Sequence, residues 1–250
     1  MDKIIKTTLG LFIVILVVFV AVVAYSSYVS TAYQNSRVST YTYSCTLTTD
    51  SVLTNVTLFL PIPEMVKDES PIVVQIGAQK VSGIPADWKT ALFGTGKTTL
   101  LKVSAAKIGE PAVNGVPVNT TVTFTTTATS PGSIDTLSPI ANAAVFRPVQ
   151  DLQEAACPET NAGATGSSTP ACSSYLTSIY ASYDAPLSAS VSISSTVTGT
   201  NAWTVFKPES NQYENRIALL MHGDNHGWAT TRGWIESGIG SFDTHAIQSP

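Results

Sequence analysis

Leu187-Ser188-Ala189-Ser190-Val191-Ser192-Ile193-Ser194 alternates an apolar residue with a serine four times in succession. Successive side chains of an extended chain point to opposite faces, so the octet reads as a strand with one face on a core and one in water. The pattern recurs. Tyr41, Tyr43, Cys45 and Leu47 alternate with Thr42, Ser44, Thr46 and Thr48; Val56, Leu58 and Leu60 alternate with Asn55, Thr57 and Phe59, up to Pro61-Ile62-Pro63. Val118, Thr120, Val122 and Phe124 do so with Asn119, Thr121, Thr123 and Thr125. Further strands are predicted at 72–76, 99–103, 202–206, 216–221 and 228–235. About nine short strands between Gly, Pro and Asn turns predict a mainly β, antiparallel, Ig-like sandwich.

The middle of the chain departs from this period. Ser138-Pro139 reads as an N-cap followed by Pro at the first helical position, with Ile140, Ala144 and Val145 at helical spacing. A second short helix is predicted after Pro148, through Leu152 and Ala156. A third places Tyr175, Leu176, Ile179, Tyr180 and Tyr183 on one face, packed on the sheet. Together they make a small helical insert over about 134–184.

Between the second and third helices, Cys157 and Cys172 bracket a loop of Gly, Ser, Thr and Ala, which cannot bury enough apolar surface to order itself. A disulfide between them would close it in an oxidising compartment. A loop of that length gains on the order of 3 kcal/mol from the cross-link in the chain-entropy model. Cys45, beside Tyr43 and Leu47 on an apolar face, reads as a buried structural thiol.

Outward in the other direction lies the longest apolar run, Leu9 to Ala24, with no charge between Lys6 and Arg37. With Tyr25, Ser26, Ser27 and Tyr28 it reaches the ~20 residues needed to cross a bilayer. Lys3 and Lys6 before it predict a cytoplasmic N-terminus, and Tyr25, Tyr28 and Tyr33 suit the aromatic belt. Residues 1–35 are therefore read as stub and retained anchor, and 36–250 as an extracellular domain on a single-pass cell-membrane protein. A cleaved secretory signal ending at Val22-Val23-Ala24 or Ser30-Thr31-Ala32 is the competing reading, although its core would be at or beyond the usual length. A pilin-like leader fits poorly, because Thr7, Thr8 and Leu9 separate Lys6 from Gly10.

Charge excludes one class of partner. Only 12% of residues are charged, and setting aside Asp2, Lys3 and Lys6 leaves 11 basic and 16 acidic residues, a formal −5. Nucleic-acid binding needs a basic footprint, so no nucleic-acid partner is expected.

Three motifs invite chemistry. Gly94-Thr95-Gly96-Lys97-Thr98 resembles the end of a phosphate loop, but Ala91 stands where the first Gly is required, and a strand follows instead of a helix. A hairpin loop is the better account. His222, Asp224 and His226, spaced by two, are candidate metal ligands, and His245 is a remote third imidazole. Yet Gly223-Asp224-Asn225 is also a turn signal between apolar strands, where these side chains face solvent without a ligand. No Ser sits in a nucleophile-elbow pattern, and Asp224, Glu236 and Asp243 show no marked pairing. The chain is read as a non-enzyme without a cofactor. Asn55-Val56-Thr57 and Asn119-Thr120-Thr121 are acceptor sequons on the hydroxyl-rich faces of their strands, compatible with glycosylation of Asn55 and Asn119.

Asn201-Ala202-Trp203-Thr204-Val205-Phe206, Asn211-Gln212-Tyr213-Glu214-Asn215-Arg216, Gly223-Asp224-Asn225-His226-Gly227-Trp228 and Arg232-Gly233-Trp234 form a recurrent pattern. So do Thr54 through Pro63 and Asp68-Glu69-Ser70-Pro71. Together, over about a third of the chain, they resemble membrane-anchored archaeal surface proteins of uncharacterised function. The resemblance implies topology and cell type, and no activity. The expected role is structural or adhesive, toward envelope proteins or glycans, with the membrane as partner of the N-terminal helix. Two alternatives stand beside it: a secreted metal-dependent enzyme using His222, Asp224 and His226, and a subunit of a surface filament.

Overall fold

A computed structural model describes residues 2–96, 98–157 and 170–242. Among these described residues three helices, α1 (Asp2–Ser36), α2 (Pro71–Gly77) and α3 (Pro139–Asn142), accompany twelve strands. These are β1 (Val38–Thr49), β2 (Leu53–Pro61), β3 (Pro63–Glu64), β4 (Lys89–Gly94), β5 (Thr99–Ile108), β6 (Thr120–Ser130), β7 (Val145–Phe146), β8 (Gln150–Ala155), β9 (Ala171–Asp184), β10 (Ser190–Thr204), β11 (Pro208–His222) and β12 (Asn225–Gly240).

Ten strands form one antiparallel sheet in the order β4-β5-β2-β9-β12-β11-β10-β1-β6, with β8 beside β9. It curls so that its two halves face each other across a core, in a sandwich-like arrangement. The curl has an identifiable seam. β11 and β12 pair from Asn211–Ile217 to Gly233–Gly240. Beyond that, β11 stays with β10 up to His222↔Ser190, and β12 with β9 up to Asn225↔Tyr183. The two strands part, and each joins its own layer.

Alternation decides which side chains fill the interior. On β1, Tyr41, Tyr43, Cys45 and Leu47 are buried, as are Val191, Ile193 and Val197 on β10. Two glycines are required by close approach. A Cβ on Gly199 would meet the ring of Tyr213 at 2.2 Å, and one on Gly233 would meet Tyr175 at 2.2 Å. Each faces that tyrosine directly across the ladder, so the absent side chain is the space the ring occupies.

A strap from Ile134 to Phe146 crosses the concave side, and Ala143, Ala144, Val145 and Phe146 are completely buried. Its backbone and hydroxyl groups need partners inside the core, and three asparagines meet several of them. Asn201 Oδ1 accepts from Ile134 N at 2.9 Å and its Nδ2 donates to Ile134 O at 2.9 Å. Asn211 Oδ1 accepts from Thr136 Oγ1 at 3.0 Å, and Asn215 Oδ1 from Phe146 N at 2.8 Å. The Tyr213 hydroxyl donates to Ala144 O.

The expected helical insert over 134–184 is corrected by this arrangement. Among the described residues of that segment only Pro139–Asn142 is helical; the second predicted helix is β8 and the third is β9, near the middle of the sheet. Tyr175, Ile179 and Tyr183 recur every four residues, a spacing that fits one helix face and, equally, one strand face. The intervening Thr177 and Ala181 are buried with them, which only a strand allows. Residues 72–76, expected as a strand, form α2 instead: Ser70 is the N-cap, Pro71 opens the helix, and Ile72 and Ile76 share its buried face. α2 packs against β6, and Ser82 pairs with Thr125, so the β6 edge is covered.

α1 runs 35 residues, roughly 52 Å at 1.5 Å per residue. Its span from Lys3 to Ser36 is long and apolar enough to cross a membrane, and the protein buries none of its most apolar window. Its last two turns dock on the end of β10. Tyr33 meets Trp203 edge-on, Thr204 N donates to Ser36 Oγ at 3.0 Å, and Val29 is buried.

Candidate functional site

Helix α1 docks at one end of the β domain, where β10 turns into β11. The 15 residues of β11 then carry the chain to the opposite end, roughly 50 Å away at 3.3 Å per residue. Loops β1–β2, β9–β10 and β11–β12 gather there. Leu187 in the second of these is 88% exposed.

Toward that far end the outer face of the β2-β9-β12 layer carries a row of aromatic rings. Phe59 faces Tyr180 across one ladder and Tyr180 faces Trp228 across the next. Phe93, on β4, extends the row. Ring centroids step by 5.0 Å from Phe93 to Phe59, 5.3 Å to Tyr180 and 5.5 Å to Trp228, each pair edge to face. The Lys102 ammonium lies 5.8 Å from the Phe59 ring centre. Trp228 is 60% exposed and Phe93 47%. Alternation explains the row: the residues flanking Tyr180 and Phe59 point into the core, which leaves these rings outside.

Two residues further along the same strands, on the same face, the row gains a polar border. Thr57 pairs with Ser182, and Ser182 with His226. The His226 Nδ1 lies 3.3 Å from Ser182 Oγ, and its Nε2 lies 3.5 Å from Asp184 and 3.7 Å from Asp224. Asn55 Nδ2 donates to Asp184 Oδ2 at 2.6 Å, from a bulge where Asn55 has a φ of +54°. Beneath, the Tyr183 phenol is pushed up to about 12, first by burial and then by the Asp224 charge. The corner thus offers carboxylate acceptors, an imidazole, an amide and hydroxyls beside exposed rings.

The predicted residues fall unevenly around this surface. Asp224 and His226 belong to its border. His222 sits on β11 opposite Ser190, in the other layer, because the strands carrying the two imidazoles have parted. Among the described residues no group of three or more His, Cys, Asp and Glu is arranged to hold a metal ion; His245 lies outside the described residues. Of the Gly94–Thr98 motif, Gly94 pairs with Thr99 where β4 gives way to antiparallel β5, Gly96 has a φ of +79°, and Lys97 lies outside the described residues. Asn55 and Asn119 are both exposed, Asn119 just before β6. Glu236 pairs with Arg216 at 4.0 Å. The disulfide Cys157–Cys172 is formed, and Cys45 is a buried free thiol.

The aromatic row escapes sequence reading because its members come from four strands distant in the chain. The available signal was Phe59 and Trp228 standing at the polar phase of alternating segments. Comparison with protein-family models, curated proteins and solved structures finds no match to this chain.

Proposed function

We propose that the protein is a membrane-anchored surface protein whose β domain is displayed outside the cell and contacts glycans through Phe59, Tyr180 and Trp228. The observation that carries this reading is the exposed aromatic row with its Asp184–His226 border at the end of the domain opposite α1. In this reading α1 crosses the bilayer, with Lys3 and Lys6 on the cytoplasmic side. An apolar helix that the chain leaves uncovered needs another apolar environment, and a bilayer supplies it. The resemblance to membrane-anchored archaeal surface proteins agrees with such a role, structural or adhesive.

The chemistry of the surface suits sugars. A hexose presents C–H groups on one ring face, and these pack against the electron-rich face of an aromatic ring. Its rim hydroxyls need acceptors and donors at the edge, which Asp184, Asn55, Ser182 and His226 provide. Trp228 is exposed and Phe59 and Tyr180 are half-buried beside it, and a contiguous aromatic patch of this kind is the mark of an interaction surface.

Binding of the full-length protein, in detergent or nanodiscs, to an immobilised panel of hexose- and aminohexose-containing glycans tests the reading. At least one glycan should bind, with affinity reduced ~10-fold or more by Trp228→Ala or Tyr180→Ala, since such anchors cost on the order of 2 kcal/mol when truncated. Binding unchanged by either substitution, or no binding anywhere on the panel, contradicts the glycan assignment.

A further inference from the structure

The β10–β11 connection is the three residues Val205, Phe206 and Lys207, closed by the pair Thr204↔Pro208. It does not stop at the docked end of α1. It reaches back along the helix, toward the apolar run. The Phe206 ring lies 6.3 Å from Tyr25 at an interplanar angle of 12°, and 6.3 Å from Tyr28. Even so, Phe206 remains 68% exposed and the Lys207 side chain 77%. Nothing in the fold requires a large apolar ring at a hairpin tip, where Gly, Asn or Asp would suit the turn better.

Resting on the anchored reading above, we propose that Val205-Phe206-Lys207 is a second membrane contact, seated in the outer interfacial layer of the bilayer beside α1. Depth follows from helix length. The 20 residues from Leu9 to Tyr28 span ~30 Å, the thickness of the hydrocarbon core. Tyr25 and Tyr28 then fall at its outer edge, where aromatic side chains concentrate. A ring touching both of them lies at the same depth. Lys207, ion-paired with Glu209 at 3.3 Å, sits where a long basic side chain can lay its stem on lipid and keep its ammonium among headgroups. Above this level Tyr33 and Trp203 pack on each other, so the domain leaves the membrane surface there.

The consequence is orientation. A domain seated on one helix tilts with that helix in the bilayer. A second lipid contact beside the helix limits the tilt, and the aromatic row at the far end is held away from the bilayer. The tip is therefore a lipid-binding element that aims the domain.

The test uses the full chain in phosphatidylcholine/phosphatidylglycerol nanodiscs, with an environment-sensitive fluorophore on a single introduced cysteine. Cys45 is buried and Cys157–Cys172 is bonded, so neither competes for label. Labels on Phe206→Cys and on Lys207→Cys, which retains Phe206, are compared with Val20→Cys in the apolar run and Leu187→Cys at the far end. Nitroxide lipids quench from the headgroup region or from deep in the chains. Both tip labels should be quenched at least twofold by shallow nitroxides, Val20→Cys by deep ones and Leu187→Cys by neither. Tip labels as unquenched as Leu187→Cys, with Val20→Cys quenched, overturn the second contact and leave the anchor standing. If Val20→Cys is also unquenched, α1 is not in lipid and both readings fall.

Discussion

The ring of Tyr33 meets the indole of Trp203 edge to face, 5.5 Å between centroids, and joins the last turns of α1 to the end of β10. Beside it the Ser36 hydroxyl caps the backbone N–H of Thr204, and the Arg37 guanidinium lies over the Tyr33 ring, 5.9 Å from its centre. The helix is thus seated on the domain, not hung from it by a free linker.

Tyr33→Ala removes a pair worth ~0.5–1.5 kcal/mol beyond area burial. Amide exchange of residues 29–37 should accelerate in the variant, while the β strands keep their protection and the domain's Tm moves by only a few degrees. Unchanged exchange over 29–37 would mean that the seat depends on other contacts.

Asn215 holds the strap from the sheet side. Its amide donates to Trp234 O at 2.9 Å and to the Tyr175 hydroxyl at 2.8 Å, while its carbonyl accepts from Phe146 N. Asn215→Ala leaves several buried polar groups unpaired at ~1–3 kcal/mol each, so denaturant unfolding should report a loss of about 3 kcal/mol or more. Gln212→Ala, on the outer face of the same strand, should cost less than ~0.5 kcal/mol.

The cysteines make a chemical prediction. Non-reducing peptide maps should show Cys157 linked to Cys172, with Cys45 alkylated only after unfolding. Burial pushes the Cys45 thiol up to about 11. The unfolded chain then gives up this proton at lower pH than the folded one. The thiol's contribution is complete below pH ~9 and is lost as pH rises toward 11, by up to roughly 2–3 kcal/mol. Cys45→Ser or Cys45→Ala should flatten that part of the pH–stability curve, which is read by thermal melts from pH 7.5 to 10.5.

His222 and His226 are exposed and lie on strands that have parted. Replacing both by Ala should change stability within about 0.5 kcal/mol, the usual range for surface sites. Elemental analysis of the purified protein should find no stoichiometric transition metal. One equivalent of zinc that survives dialysis and disappears in the double variant would contradict this.

What the sequence disclosed follows from what alternation can encode. Strands with one apolar and one hydroxyl face, such as Tyr41–Leu47 and Val191–Val197, were legible because their burial is local in origin. β9 was not, because Tyr175, Ile179 and Tyr183 repeat at a spacing shared by helix and strand. Its β-branched and aromatic composition was the arbiter that should have decided. α2 was missed although Ser70-Pro71 carries the same start signal that located α3 at Ser138-Pro139. Asn201, Asn211 and Asn215 stood in the recurrent pattern, but their task depends on a strap from 60 or more residues away. No local rule announces such a partnership. The aromatic row is hidden for the same reason.

The central claim, an anchored domain displayed outside the cell, is tested most directly by labelling intact cells with a membrane-impermeant maleimide. A cysteine at the far end, Leu187→Cys, and one before the apolar run, Lys3→Cys, are compared before and after permeabilisation, with the protein recovered from the membrane fraction. Leu187→Cys should label in intact cells and Lys3→Cys only once the membrane is opened. Leu187→Cys protected until permeabilisation, or full-length chain recovered from the soluble fraction, would contradict the account.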